Sequence, residues 1–510
     1  MSPNTRTQFE GVEGGELPLL VRVPEKTIQV GNFIKGQWHF DESCRIEVIS
    51  PYLGKVVGLA SAATANQVSS AIEHADEAAK AWGRTPIKER SACLFVFRNL
   101  LLAEIDSVAE MICLESGKIF AEARAEVLKG VEVLEFALSQ QNADMGGRIE
   151  VSRGVFCEYR RRPLGVVANI TPFNFPAMVP MWTIPNVLVS GNAYVWKPSD
   201  KTPLTSLLIA NLIKAAGIPD GLFTVLQGSA DVVNAIIGHE KVKAIGFVGS
   251  TSVARQVYLL GTSLGKRVLA LGGAKNHVVL LPDADVEIAG RGISDSFTGC
   301  AGQRCMAASV LLAVGDCDNH IEVIKKRAAS LTLGKDMGAI VTARQKAFLF
   351  EAIAKAEKDG ARIILDGRKS KPENKEYHDG NWIGPTILDH VQPGSVAACD
   401  ELFGPILSII RCRNISEALS IENKNIYGNA CSVFTSSGQL AEKVVQAANA
   451  GMVGINVGVP VPREPFSFGG INQSKFGHGD ITGASSLDLW TDLKKITTKW
   501  ETQQDSNWMS

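Results

Sequence analysis

The fold class expected from this sequence is a multidomain α/β protein built on parallel sheets, and three observations carry that expectation. The chain has 510 residues, more than one ordinary core serves. Short, wholly apolar strand-like runs alternate with helix-length segments in two successive series, which is how parallel sheets covered on both faces read. Hydrophobic residues make up 45% of the chain and charged residues 21%, the balance of a folded globular protein.

The elements follow in order. Residues 1–26 read as a polar leader; Met1 to Glu16 lacks the basic patch, apolar run and small-residue cleavage pattern of a secretory signal. Ile34-Lys-Gly-Gln-Trp and Ser50-Pro-Tyr-Leu-Gly-Lys are turns in a small β start. From Thr64 to Gln140 apolar residues recur at helical spacing, as in Val68, Ile72, Ala75, Ala79 and Trp82, and several long helices are implied. Gly165-Val-Val-Ala-Asn-Ile, Ala193-Tyr-Val-Trp, Thr224-Val-Leu and Ala244-Ile-Gly-Phe-Val form the first strand series. The second begins at His277-Val-Val-Leu-Leu and runs through Ser309-Val-Leu-Leu-Ala-Val, Ala361-Arg-Ile-Ile-Leu, Ile406-Leu-Ser-Ile-Ile and Ala430-Cys-Ser-Val-Phe. Gly272-Gly-Ala lies between the series as a natural hinge. Pro460 to Gly470 is rich in Pro, Gly and Phe, and Leu487 to Trp500 reads as a strand with a polar end, a tail suited to packing on another subunit.

Composition excludes several classes. The formal net charge is -1 with Lys and Arg scattered, so the field that nucleic-acid binders use is missing. No run approaches the ~20 apolar residues that cross a bilayer. Ten cysteines stand singly without CxxC pairs, which suits a reducing, cytoplasmic setting and gives no metal site.

Five short segments carry chemistry. In Gly299-Cys-Ala-Gly-Gln-Arg-Cys, Cys305 follows a helix-forming stretch and stands beside Arg304, a cation that favours a thiolate. Taken alone, Cys300 is an equal candidate, and either cysteine reads as a buried hydrophobe. Thr171-Pro-Phe-Asn-Phe-Pro follows a strand; its prolines deny it helical structure and hold Asn174 where an amide can donate to an oxyanion, or where it merely makes an Asx turn. Trp196-Lys-Pro-Ser-Asp ends the next strand, where open parallel sheets bind ligands; Lys197 suits ribose hydroxyls or is a solvated loop lysine. Phe247-Val-Gly-Ser-Thr-Ser-Val-Ala runs from a strand into a helix, a setting for phosphate. Asp400-Glu-Leu-Phe-Gly-Pro offers Glu401 to a second ribose and would otherwise be an acidic turn.

Together, TPFNFP, WKPS, FVGS, GQRC and ELFGP, in this order and spacing, resemble the aldehyde dehydrogenase superfamily over nearly the full chain. The resemblance implies an aldehyde dehydrogenase-like fold. A Rossmann-like NAD-binding domain would comprise 27–148 and 166–271 and an α/β catalytic domain 272–462, with a β oligomerisation arm and tail from 149–165 and 463–510. It implies Cys305 as nucleophile, with Asn174 and the cysteine's own N–H stabilising the oxyanion, and NAD as hydride acceptor. Lys197 and Glu401 would contact the two riboses, Ser250 the pyrophosphate, and Thr171, Phe173 and Gly272 the nicotinamide end. Asp200 and Lys201 stand where close relatives carry Glu and Arg around the adenosine ribose, which leaves the choice against NADP open. Homodimers or homotetramers are the habit of the family.

One departure selects a branch. Hydrolytic relatives carry a Glu, the base that activates water, at the position of Ala270, and alanine accepts no proton. A thiol such as coenzyme A needs less help. With Gly-Gly-Ala-Lys-Asn-His, Gly-Gln-Arg-Cys-Met-Ala and Pro-Val-Pro before Phe466-Ser-Phe, the chain is most similar to the CoA-acylating methylmalonate-semialdehyde dehydrogenase branch. The small-molecule partners implied are a semialdehyde and CoA, with the acyl-CoA formed as the substrate's carboxylate leaves. Arg304 matches one of two arginines that this branch uses for that carboxylate; at the other, Lys129 keeps the charge but loses the planar fork, and Arg463 is a compensating candidate. A hydrolytic semialdehyde dehydrogenase and an inactive structural relative are the alternatives.

Overall fold

The computed structural model describes residues 21–143 and 146–500; most of the polar leader lies outside them. The predicted helical region forms α1 (Ala65–Trp82), α2 (Ile87–Ala103), α3 (Ile105–Ser116) and α4 (Phe120–Ala143). A capping box between Thr64 and Gln67 starts α1, and Val68, Ala71, Ile72, Ala75, Ala79 and Trp82 are its buried stripe. Helix α3 stops at Gly117, whose φ of 80° ends the turn in the left-handed conformation.

An eight-stranded sheet follows, its centre formed by five parallel strands in the spatial order Arg267–Leu271, Val242–Val248, Val166–Ile170, Ala193–Lys197, Phe223–Val225. Antiparallel additions close its edges: Lys475–Phe476 from the tail on one side, and the hairpin Asn32–Ile34 and Gln37–His39 on the other. Helices α5 (Met178–Val189), α6 (Thr205–Ala215), α7 (Ala230–Gly238) and α8 (Thr251–Ser263) connect the central strands. Chain order reverses between Val166–Ile170 and Val242–Val248, so the loops that follow these two strands face each other across the topological switch point where doubly wound sheets bind ligands. Those loops begin at Thr171 and Gly249.

The second sheet has seven strands, with Asn276–Leu280 at its centre between Ala308–Val314 and Ala430–Phe434. Its edge strand Arg362–Leu365 is antiparallel, and it is only partly buried, as an edge allows. Helix α9 (Val286–Thr298), capped by Asp285, packs beside this sheet and delivers the chain to Gly299. A separate three-stranded antiparallel sheet joins Gly147–Ser152, Val155–Pro163 and Thr491–Lys499. The tail departs from expectation at one point. Ser486–Trp490 is a short helix rather than the start of a strand, because Leu487, Leu489 and Trp490 are all drawn into the core.

In the Gly272–Ala274 crossover, expected as a hinge, all three backbone N–H groups have partners. Gly272 N–H donates to Ser474 O (2.9 Å), Gly273 N–H to Thr251 Oγ1 (2.8 Å) and Ala274 N–H to Glu401 Oε1 (2.9 Å). Three successive donors are thus satisfied by three different segments, which ties both sheets and the tail together. No helix among the described residues is long and apolar enough to cross a membrane.

Candidate active site

The nucleophile turn begins where α9 ends. Cys300 and Ala301 both have φ of 52° and Gly302 has φ of 68°, a left-handed run that costs each non-glycine residue about 1–2 kcal/mol. Such a run persists only when its surroundings hold it. Glu122 of α4 accepts the Cys300 N–H at 2.6 Å. The Gln303 carboxamide donates to Ala339 O (3.0 Å) and accepts from Val341 N–H (2.9 Å). Gly302 is required here, because a side chain would overlap the Gly404 carbonyl.

Asn174 reaches this turn from the other domain. Its Nδ2 donates to Gln303 O at 3.0 Å, two residues before Cys305, and the same nitrogen carries a second N–H. The loop that bears Asn174 is fixed at its root, where Thr171 N–H bonds Lys197 O (3.1 Å) and Thr171 Oγ1 accepts the Trp196 indole N–H (2.8 Å). On the far side, the Cys305 carbonyl accepts two side-chain amides, Asn276 Nδ2 at 2.7 Å and Asn429 Nδ2 at 2.9 Å. Asn276 also donates to Ala307 O (2.9 Å) and accepts from Ala430 N–H (3.1 Å). Gln303, Glu122, Asn276 and Asn429 were not identified from sequence as site residues. Asn276 sat within a motif already singled out, whereas Asn429 left no local signal.

Cys305 is half-buried, and all ten cysteines are free. Burial, then the negative charge of Glu401, push its thiol up to about 12, while its own backbone N–H and Arg304 pull the other way. Cys300 is buried in the core, and burial with the Glu122 charge pushes its thiol up to about 12 as well. Burial lifts the Glu401 carboxyl to about 7 against the opposing pull of the Ala274 N–H and of Lys275. Lys275 itself is fully buried, with Nζ on Asp400 O at 2.6 Å; burial lowers its ammonium to about 8.

The remaining candidates connect to one another. Phe173 meets Phe403 edge-on at 5.8 Å, beside Glu401, and Lys201 Nζ lies over the Phe173 ring at 4.9 Å. Lys201, assigned to the adenosine end, is thereby engaged by a ring assigned to the nicotinamide end. Lys197 is buried at its strand end; burial lowers its ammonium and the Asp200 carboxylate opposes that. Ser250 is the N-cap of α8 but its side chain caps no backbone N–H, so the donors of this helix start suit an anionic phosphate. Gly272 lies under that helix start, where a Cβ would stand 2.8 Å from Thr251 Oγ1. This set of donors and acceptors, an uncapped helix N-terminus with Lys197 and Glu401, fits the groups of a dinucleotide.

The two predicted substrate cations both have partners within the chain. Arg304 donates through Nη2 to Ser296 O (2.9 Å) and to Asp295 O, closing the last turn of α9. Lys129 pairs with Glu464 at 2.9 Å and Glu132 at 3.0 Å, and Arg463 lies 3.8 Å from Glu132. Ala270 is fully buried, paired in register with Phe247 and Phe476.

Known proteins resemble this chain in sequence and fold. The model of the aldehyde dehydrogenase family matches residues 38–496. Malonate-semialdehyde dehydrogenase 2 of Geobacillus thermodenitrificans (strain NG80-2) is 37% identical over 483 residues, 93% of this chain and 99% of the relative. Malonate-semialdehyde dehydrogenase 1 of Geobacillus kaustophilus (strain HTA426) is 38% identical over 94% of this chain and 99% of the relative. The crystal structure of methylmalonate-semialdehyde dehydrogenase from Oceanimonas doudoroffii superposes with a TM-score of 0.91 at 35% identity, over 93% of this chain and 99% of that one. A Sinorhizobium meliloti 1021 structure described as a methylmalonate-semialdehyde dehydrogenase complexed with NAD does so equally, at 0.91 and 35%, over 94% of this chain and 99% of its own. With a cysteine turn facing an asparagine across the switch point of a doubly wound sheet, and these likenesses spanning almost all its length, the chain belongs to the aldehyde dehydrogenase family.

Proposed function

We propose that the chain oxidises a small carboxylated semialdehyde with NAD through a Cys305 thioester and passes the acyl group to coenzyme A. Methylmalonate or malonate semialdehyde would yield propanoyl-CoA or acetyl-CoA, the carboxylate leaving as CO2 or bicarbonate. The observation that carries the choice of acceptor is position 270. It holds a fully buried alanine between two phenylalanine-bearing strands, so no carboxylate stands there to activate water.

The Cys305 thiol gives its proton to solvent water as its sulfur adds to the aldehyde carbon, and the Asn174 amide with the Cys305 backbone N–H stabilises the oxygen that becomes anionic. NAD, when bound, supplies the hydride acceptor. Loss of hydride converts the thiohemiacetal to a thioester on Cys305; the C–C bond to the substrate's carboxylate then breaks, CO2 leaves and the α-carbon takes a proton from water. The CoA thiolate then attacks the thioester carbonyl and expels the Cys305 thiolate, which is reprotonated. Lys197 and Glu401 hold ribose hydroxyls, and Ser250 with the α8 N-terminus takes the pyrophosphate. Thr171, Phe173 and Gly272 form the nicotinamide end, and Asp200 with Lys201 forms the outer rim. Burial and the Glu401 charge both favour the protonated form of the resting Cys305 thiol.

We further propose a cytoplasmic homodimer or homotetramer, assembled through the three-stranded sheet whose Ile149, Val151, Tyr159 and Leu493 are exposed. The function is tested by following NADH at steady state with malonate semialdehyde, with and without CoA. Sustained turnover only with CoA supports the reading, and equal turnover without it favours a hydrolytic enzyme.

A further inference from the structure

Resting on that reading of the substrate, the groups along one face of α4 bear on how its carboxylate is selected. Glu122, Glu126 and Lys129 lie at i, i+4 and i+7 of α4 and share one face. Glu122 touches the nucleophile turn through the Cys300 N–H, and Glu126 accepts the first N–H groups of α5 from Ala177 (2.8 Å) and Met178 (3.0 Å). Lys129 is roughly 10 Å further along the same face at 1.5 Å per residue. The segment 458–468 crosses this corridor. Its Gly458 carbonyl is held by Ser296 of α9 at 2.6 Å, and its Phe468 ring packs on Trp182 of α5 at 4.6 Å. Between those two anchors Glu464 reaches Lys129 at 2.9 Å, with side-chain exposures of 9% and 18%.

A carboxylate of the chain thus sits on the ammonium that a substrate carboxylate would need, in a place where little water screens the pair. Arg304 has its Nη2 on two helix carbonyls. We propose that Glu464 is a built-in competitor for the substrate's carboxylate: it occupies Lys129 in the resting enzyme and must be displaced before a carboxylated aldehyde binds. Glu464 thereby sets the enzyme's selectivity between carboxylated and uncharged aldehydes of equal length.

The test uses the rapid NADH burst at saturating NAD, with malonate semialdehyde and propanal as the matched pair. The burst precedes acyl transfer, so its result does not depend on whether CoA or water is the acceptor. For Glu464→Gln the half-saturating concentration of malonate semialdehyde relative to propanal is expected to fall roughly threefold to tenfold. For Lys129→Met the ratio is expected to rise, and adding Glu464→Gln to Lys129→Met should then change it no further. A ratio that stays constant or rises in Glu464→Gln overturns the proposal. If that chain does not fold, Glu464→Asp, which draws the carboxylate back by one methylene, reads the same quantity: a smaller fall supports the proposal and no fall overturns it. A parent enzyme that bursts with propanal but not with malonate semialdehyde sinks the substrate reading together with this one, whereas an unchanged ratio counts against Glu464 alone.

Discussion

The two halves of the site are built in different ways. On the proposed coenzyme side, Thr171, Phe173, Lys197, Ser250 and Gly272 stand on strand ends and tight loops, where Thr171 bonds Lys197 and Trp196 and Phe173 packs on Phe403. On the aldehyde side, the nucleophile lies in a left-handed turn held by side chains from distant segments, and both cations expected for the substrate are paired within the chain. The first half is a surface waiting for a ligand. The second is a set of groups that must exchange an internal partner for an external one, which is where specificity and control reside.

The sharpest way to break this contrast is at the sulfur. Cys305→Ala is expected to abolish NADH formation, a loss of at least about 10³-fold, whereas Cys300→Ala, which changes a core residue, should retain most of it; a stopped assay on both variants decides. Asn174→Ala removes a donor to the oxyanion and should lower kcat by about 10²- to 10³-fold while leaving NAD affinity near its parent value by fluorescence titration. Asn429→Leu removes one of two donors to the Cys305 carbonyl. A loss of roughly tenfold in the burst rate is expected, with little change in the half-saturating NAD concentration.

On the coenzyme side the effects are smaller and depend on pH. Glu401, lifted to about 7 by burial, is uncharged below that pH and becomes the stronger acceptor above it. NAD binding should therefore tighten severalfold as pH rises from about 6 to about 8, and Glu401→Gln should flatten the profile. The resting Cys305 thiol, pushed up to about 12, should react with iodoacetamide about tenfold faster for each unit of pH between about 7 and 10. A plateau already reached near pH 8 would show a preformed thiolate and contradict the described balance of burial and charge.

Much of the coenzyme half was legible in sequence because its information is local. Prolines in TPFNFP, the strand-end lysine of WKPS and the strand-to-helix turn of FVGS each fix a backbone within a few residues, so the motif and the geometry are nearly the same statement. The aldehyde half was less legible because its partners are remote. Lys129 and Glu464 are separated by 335 positions and Cys305 and Asn429 by 124, and no spacing rule connects them. Arg304 illustrates the same limit: its Nη2 is held by the Asp295 and Ser296 carbonyls at the end of α9, a contact that the motif around the nucleophile does not announce. The tail was misread at Leu487–Trp490 because Leu-Asp-Leu-Trp alternates like a strand yet also suits a short buried helical turn.

The central claim, an acyl group carried on one sulfur and given up to CoA, can be read by peptide mass spectrometry. The enzyme is mixed with malonate semialdehyde and NAD without CoA, quenched in acid, and then compared with a sample chased by CoA before quenching. The account predicts an acyl mass on the peptide containing Cys305 that persists in water and disappears within a turnover after CoA is added, with acyl-CoA formed in equal amount. Label on another residue, or loss of the acyl group in water as fast as with CoA, would contradict it.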